Sequence, residues 1–90
     1  MKPPVQKGIV AISKKGRDKG RAFMVLCEVD ADFVLVADGD LRKLEKPKRK
    51  RRKHLVATSR ELPGMLSRYE EGRLLDSDLR KALNPPETPY

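Results

Sequence analysis

Three short apolar runs, each bounded by polar turn residues, organise the first half of the chain. Ile9, Val10 and Ile12 form the first, Phe23-Met24-Val25-Leu26-Cys27 the second, and Phe33-Val34-Leu35-Val36 the third. Their length and their β-branched and aromatic content predict strands rather than buried helix. Asp30-Ala31-Asp32 reads as a tight hairpin connection. Asp38-Gly39 is a second hairpin signal, which predicts a fourth strand over residues 41–45 and a fifth over 54–58. Alternation along the second run places Phe23, Val25, Cys27 and Val29 on one face and Met24, Leu26 and Glu28 on the other. In the third, Phe33, Leu35 and Ala37 oppose Val34 and Val36. Both faces are largely apolar, so both need cover. Five short antiparallel strands can curl so that one face lines a small barrel, which leaves the other to be covered separately.

The last thirty residues carry a helical pattern that can supply that cover. Leu62-Pro63-Gly64 marks a break, Met65, Leu66 and Tyr69 share a helical face, and Gly72 is placed to end that turn. Leu75, Leu79, Ala82 and Leu83 then make an amphipathic stripe, with Asp76 or Ser77 as its cap and Asn84-Pro85-Pro86 as its stop. The layout is an arm (1–7), a β domain (8–60), a helical appendage (61–84) and a loose tail (85–90).

Charge changes the picture next. Across 90 residues the formal net charge is +8, with 21 Lys+Arg against 13 Asp+Glu. Residues 42–60 hold ten of those cations and a single acid, Glu45, so nearly all of the excess sits in one segment. Its centre, Lys46-Pro47-Lys48-Arg49-Lys50-Arg51-Arg52-Lys53, has seven cations in eight positions. Such density repels itself on a folded face and predicts an extended, mobile loop that orders as it neutralises phosphates. A second basic stretch, Ser13-Lys14-Lys15-Gly16-Arg17-Asp18-Lys19-Gly20-Arg21, joins the first two strands. Its glycines permit close backbone approach, and its free N–H groups and cations suit a phosphate backbone. A nuclear-localisation signal and a solubilising face are the rival readings of the long run.

The segment from Val10 to Val36 resembles the KOW motif, a 27-residue pattern of alternating apolar positions with a glycine at its eleventh place, where Gly20 falls. The fuller pattern, Gly8-Ile9-Val10, then Gly16-Arg17-Asp18-Lys19-Gly20-Arg21, then Phe23-Met24-Val25, is similar to the eukaryotic-type large-subunit ribosomal proteins numbered fourteen, six and twenty-seven. It is nearest to the short bacterial KOW-domain RNA-binding proteins of that group, which Val34-Leu35-Val36-Ala37-Asp38-Gly39 also resembles. Ala22-Phe23 stands where many KOW sequences have another glycine, a departure that suits this group better than transcription elongation factors. The resemblance covers residues 8 to about 58. It implies a mainly β fold, an SH3-like barrel of about five antiparallel strands with a short C-terminal helical appendage. It also implies binding to structured RNA, typically ribosomal RNA, through the loop between the first two strands: here Lys14, Lys15, Arg17, Lys19 and Arg21. Lys46, Lys48, Arg49, Lys50, Arg51, Arg52 and Lys53 join them as expected RNA contacts from the basic run.

Other classes find little support. A chain this small has a thin core and little room for a catalytic pocket. Cys27 lies within an apolar strand, and His54 has no sequence neighbours for acid–base or metal work. Asp30, Asp32, Asp38 and Asp40 lack calcium-loop spacing and sit where turns demand Asp. The expectation is therefore a non-catalytic, cytoplasmic, monomeric protein with no cofactor, metal or small-molecule substrate and no membrane association. Both Phe residues are expected in the core, so contact with folded RNA is favoured over single-strand capture. A module of the transcription or translation machinery that contacts protein is the alternative, and ribosomal or translation-machinery proteins are candidate partners under either reading.

Overall fold

The computed structural model describes residues 4–83. The first residues of the arm, the Asn84-Pro85-Pro86 stop and the tail 85–90 lie outside the described residues. Five strands, β1 (Ile9–Ser13), β2 (Ala22–Glu28), β3 (Phe33–Ala37), β4 (Lys48–Arg51) and β5 (Leu55–Glu61), form one sheet in the order β4-β3-β2-β1-β5. Every neighbouring pair is antiparallel, and β4 and β5 are the two edges. A 3-10 turn (Arg52–His54) leads from β4 to β5, and helices α1 (Pro63–Glu70) and α2 (Asp76–Leu83) follow. The small, mainly β domain with a helical appendage is as expected, the appendage being two helices.

The period-2 pattern of the apolar runs produces two separate cores. Ile9, Ala11, Phe23, Val25, Val34, Val36 and Leu55 are buried together on one face. No helix residue belongs to that cluster, so its burial comes from the strands and from Val5 of the arm. Val10, Met24, Leu26 and Ala37 point the other way and pack under Leu79 and Leu83 of α2, with Met65 and Tyr69 of α1 alongside. The predicted split of β2 holds for Phe23 and Val25 against Met24 and Leu26, with helical cover over the second face, but not for Cys27 and Val29: the register shift after Val25 sets Cys27 opposite Leu35, and Val29 lies exposed beyond the strand. Register shifts between Ile9 and Ala11 and between Val25 and Cys27 bend the sheet locally. Cys27, at the second shift, is only half-buried.

The turns follow their side-chain chemistry. Asp30 Oδ1 accepts the backbone N–H groups of Asp32 and Phe33, both at 2.8 Å, and closes the β2–β3 hairpin. Those two bonds hold its carboxyl below the usual range. Asp38, fully buried, accepts the N–H groups of Asp40 and Arg42 through Oδ1, each at 2.9 Å. The turn at Asp38-Gly39 therefore forms, but the strand expected after it does not. Residues 41–45 form turns and bends instead, and Leu44 packs against the helix-covered core. The carboxylate of Asp76, with Ser77 one of two candidate caps of α2, accepts the Leu44 N–H at 2.8 Å and ties this loop to the helix. Pro63, read from the sequence as part of a break, opens α1 in its first turn, where its missing N–H costs nothing. The final strand begins one residue later than expected and runs on to Glu61.

The larger correction concerns the basic run. It is no mobile loop: residues 48–51 are strand β4, paired along β3 from Val36↔Lys48 to Phe33↔Arg51. The expectation treated its charges as one cloud. Strand alternation separates them, sending Lys48 and Lys50 to one face and Arg49 and Arg51 to the other. Each pair meets a different partner, so the repulsion is divided and offset.

Gly39 couples the sheet to α2. Its φ is +78°, and a Cβ there would lie 2.2 Å from the Asp76 carbonyl oxygen and 2.9 Å from the Arg80 nitrogen. Gly20 has a similar φ of +88° with open space around it. Gly20→Ala should therefore cost only backbone strain, about 1 kcal/mol. Gly39→Ala adds a clash with helix backbone and should cost about 2–4 kcal/mol. Urea denaturation of the two variants checks the difference; equal midpoints would show that α2 is not seated on this turn.

Candidate nucleic-acid interface

The loop between β1 and β2 is a compact double turn. The Lys19 N–H donates to Gly16 O at 3.2 Å, Arg21 N–H to Asp18 O at 2.8 Å, and Gly20 N–H to Ser13 O at 2.8 Å. The Lys14 N–H donates to His54 O at 2.8 Å, which fastens the loop to the 3-10 turn. Four amides that the sequence offered to phosphate are thus used within the fold. The loop also presents exposed side chains, those of Lys14, Lys15, Arg17 and Lys19.

Asp18, at the centre of the loop, points inward and is 6% exposed. Its Oδ2 lies 3.1 Å from Lys48 Nζ, 3.7 Å from Arg42 Nη2 and 3.8 Å from Lys50 Nζ. Burial pushes the Asp18 carboxyl up, but the hydrogen bond and charge of Lys48, with Arg42 and Lys50, outweigh it and hold it below the usual carboxylate range. Lys50 is 7% exposed. Its burial lowers the ammonium from its ordinary value, against the pull of Asp18, and its neighbours Lys48 and Arg42 lower it further. Its Nζ also reaches Lys15 O at 3.4 Å. One acid therefore binds together two basic segments thirty residues apart.

The twelve cations expected to meet RNA divide into two groups. Lys48 and Lys50 face Asp18. Arg21 donates to Asp38 Oδ2 at 2.8 Å and lies 3.7 Å from Asp40. Arg52 pairs with Glu28 at 2.6 Å and donates to the carbonyls of Val5 and Asp30. These four are tied into the fold. Lys14, Lys15, Arg17, Lys19, Lys46, Arg49, Arg51 and Lys53 are exposed, and among the described residues none of these eight makes an ion pair. Phe33, expected in the core, belongs to neither cluster. Its ring is half-buried with the Arg49 guanidinium carbon 4.2 Å and the Arg51 carbon 4.9 Å from its centroid.

Two grooves border this surface. One, of about 550 Å³, runs along the β1–β2 loop past Arg17, Lys19 and Arg21 to Asp40 and Arg80. Arg80 was missed by the sequence reading, because its place here depends on α2 docking against Gly39, a contact no local pattern reveals. The other, of about 370 Å³, lies among Lys15, Gly16, Phe33, Arg49, Arg51 and His54. Desolvation, then Lys53, Lys15, Arg51 and Lys50, lower the His54 imidazole below its ordinary value. Among the described residues no helix is long and apolar enough to cross a membrane. Compared with known proteins, the chain matches no protein-family model and no curated sequence.

Asp18→Asn keeps the shape and removes the shared anion. Stability should fall by about 2–3 kcal/mol, the range for a lost charged hydrogen bond that leaves partly buried cations uncompensated. The pH dependence has a definite sign. The folded carboxyl binds its proton more weakly than the unfolded one, so this stabilisation is complete above the unfolded value of about 3.9 and is lost as pH falls through the lower folded value. Thermal melts from pH 7 to pH 2.5 should therefore converge for the two proteins at the acid end; a constant gap would show that the carboxylate charge contributes nothing.

Proposed function

We propose that this chain is a non-catalytic RNA-binding protein, cytoplasmic and associated with the ribosomal RNA of the large subunit, that grips the backbone of structured RNA. The observation that carries the reading is the junction at Asp18. It fastens the β1–β2 loop, with exposed Lys14, Lys15, Arg17 and Lys19, to β4, with exposed Arg49 and Arg51, and Lys15 lines one depression with both arginines. A rigid cationic face loses little entropy on binding, and its Lys and Arg side chains suit phosphates spaced along a helix.

The fold side of the proposal is a KOW-type, SH3-like barrel. It is supported by the strand order, by β1 pairing both β2 and β5, by two register shifts that bend the sheet, and by a core that the strands bury without a helix. Gly20, at the glycine place of the resembled motif, has the positive φ that such a position demands.

Counterion release tests the function. If all eight outward cations meet phosphates, log affinity for an RNA hairpin should fall against log salt with a slope of about −6 to −7. Arg17→Gln should make that slope shallower by just under one while leaving stability unchanged. Lys50→Gln should lower stability and leave the slope alone, because Lys50 is occupied by Asp18. Fluorescence anisotropy across a salt series measures both. A flat salt response would overturn the reading and favour a module that contacts protein.

A further inference from the structure

Phe33 sits at the surface end of β3, outside both cores, with two guanidinium groups beside its ring. Arg51 is its direct cross-strand partner and Arg49 lies diagonally along β4, so the register itself brings the three side chains together. Arg49 and Arg51 differ from the arginines around them. Arg21 and Arg52 are matched to carboxylates, and Arg42 lies near one. Among the described residues, Arg49 and Arg51 make no ion pair and no side-chain hydrogen bond. Both guanidinium groups lie over the aromatic ring.

A guanidinium laid over a ring uses one flat face on that contact and keeps its N–H edge and its second face for another planar group. Beside this stack lies the depression of about 370 Å³ shared with Lys15, Gly16 and His54. That volume lies at the lower end of the range that holds small ligands. It is open and flanked by cations, and Gly16 leaves open space where a side chain would stand. A flat, electron-rich ring attached to a phosphate meets every feature of this place: a π surface, cationic planes and nearby point charge.

We infer that Phe33, Arg49 and Arg51 form a stacking site for one unpaired nucleobase. The RNA this protein prefers is accordingly a duplex interrupted by a bulged nucleotide, not an unbroken helix. The inference rests on the RNA-backbone reading and adds to it: the eight cations hold the phosphates, and the Phe33 stack selects a place where a base has left the helix. Stacking tolerates any base, so the selectivity is for an unpaired position and not for a sequence.

The test uses the full chain and two RNA hairpins, identical except that one carries a single-nucleotide bulge of 2-aminopurine. The bulged hairpin should bind about five- to one-hundred-fold more tightly, the worth of one base stacked on an aromatic surface. The 2-aminopurine emission should be quenched on binding. Phe33→Leu keeps the bulk at a position outside both cores, so the protein should stay folded; it should lose the preference and the quenching while binding the unbroken hairpin as before. The double variant Arg49→Lys with Arg51→Lys preserves charge without the planes and should also lose the preference. Equal binding of the two hairpins by the unaltered protein, or a full preference retained in Phe33→Leu, would overturn the stacking site while leaving backbone binding intact. Failure to bind either hairpin would overturn both readings.

Discussion

A single buried carboxylate makes this fold compatible with its own charge. The strand Lys48–Arg51 consists entirely of cations, which is a poor composition for a sheet edge unless something neutralises one side of it. Asp18 does so from a loop thirty residues earlier, within 4 Å of Lys48, Lys50 and Arg42. Burying an anion alone is costly, and burying a lysine alone is costly; placed together, each reduces the other's penalty. The outcome reaches beyond stability. With Lys48 and Lys50 turned to Asp18, strand alternation obliges Arg49 and Arg51 to face outward, and the β1–β2 loop is drawn alongside them.

The same logic of separated faces runs through the apolar residues. β2 alternates so that Phe23 and Val25 enter one core while Met24 and Leu26 enter the other. The second core is closed by α2, and the close approach at Gly39 fixes where that helix lies. Arg80 follows from that placement: it sits at the groove beside Arg17 and Arg21 because the helix that covers the core ends its approach there. Packing on one face of the sheet therefore supplies a cation to the basic surface. Helix α2 is thus part of the candidate interface as well as a lid on the core.

Much of this was legible in the sequence because it is local. Period-2 alternation in residues 23–26 and 33–36, the Asp30 turn, Gly72 after a helical face and the buried Leu79 and Leu83 of the last stripe each depend on a few neighbouring residues, whereas Leu75, expected in that stripe, precedes α2 and is exposed. The errors arose where distant residues decide. The hairpin signal at Asp38-Gly39 was sound as a turn, yet Asp76 captures the Leu44 N–H and draws the following residues away from the sheet. The basic run was expected to be mobile because its charges were considered without Asp18. Phe33, expected in the core, lies outside both clusters because its cross-strand neighbours are Arg51 and Arg49, residues of a strand that only long-range pairing reveals. Of the twelve predicted contact residues, the four that proved to be tied down are those with a carboxylate or carbonyl partner. Each of those partners lies at least 17 residues away along the chain.

The central claim is that loop 14–21 and strand β4 form one RNA-binding surface. Ultraviolet crosslinking in cells, with sequencing of the attached RNA and mass spectrometry of the attached peptides, tests it most directly. The account predicts reads dominated by ribosomal RNA of the large subunit, and crosslinked peptides from both the 14–21 loop and residues 48–53. Recovery of no RNA above an unirradiated control, or crosslinks confined to the helices α1 and α2, would contradict it.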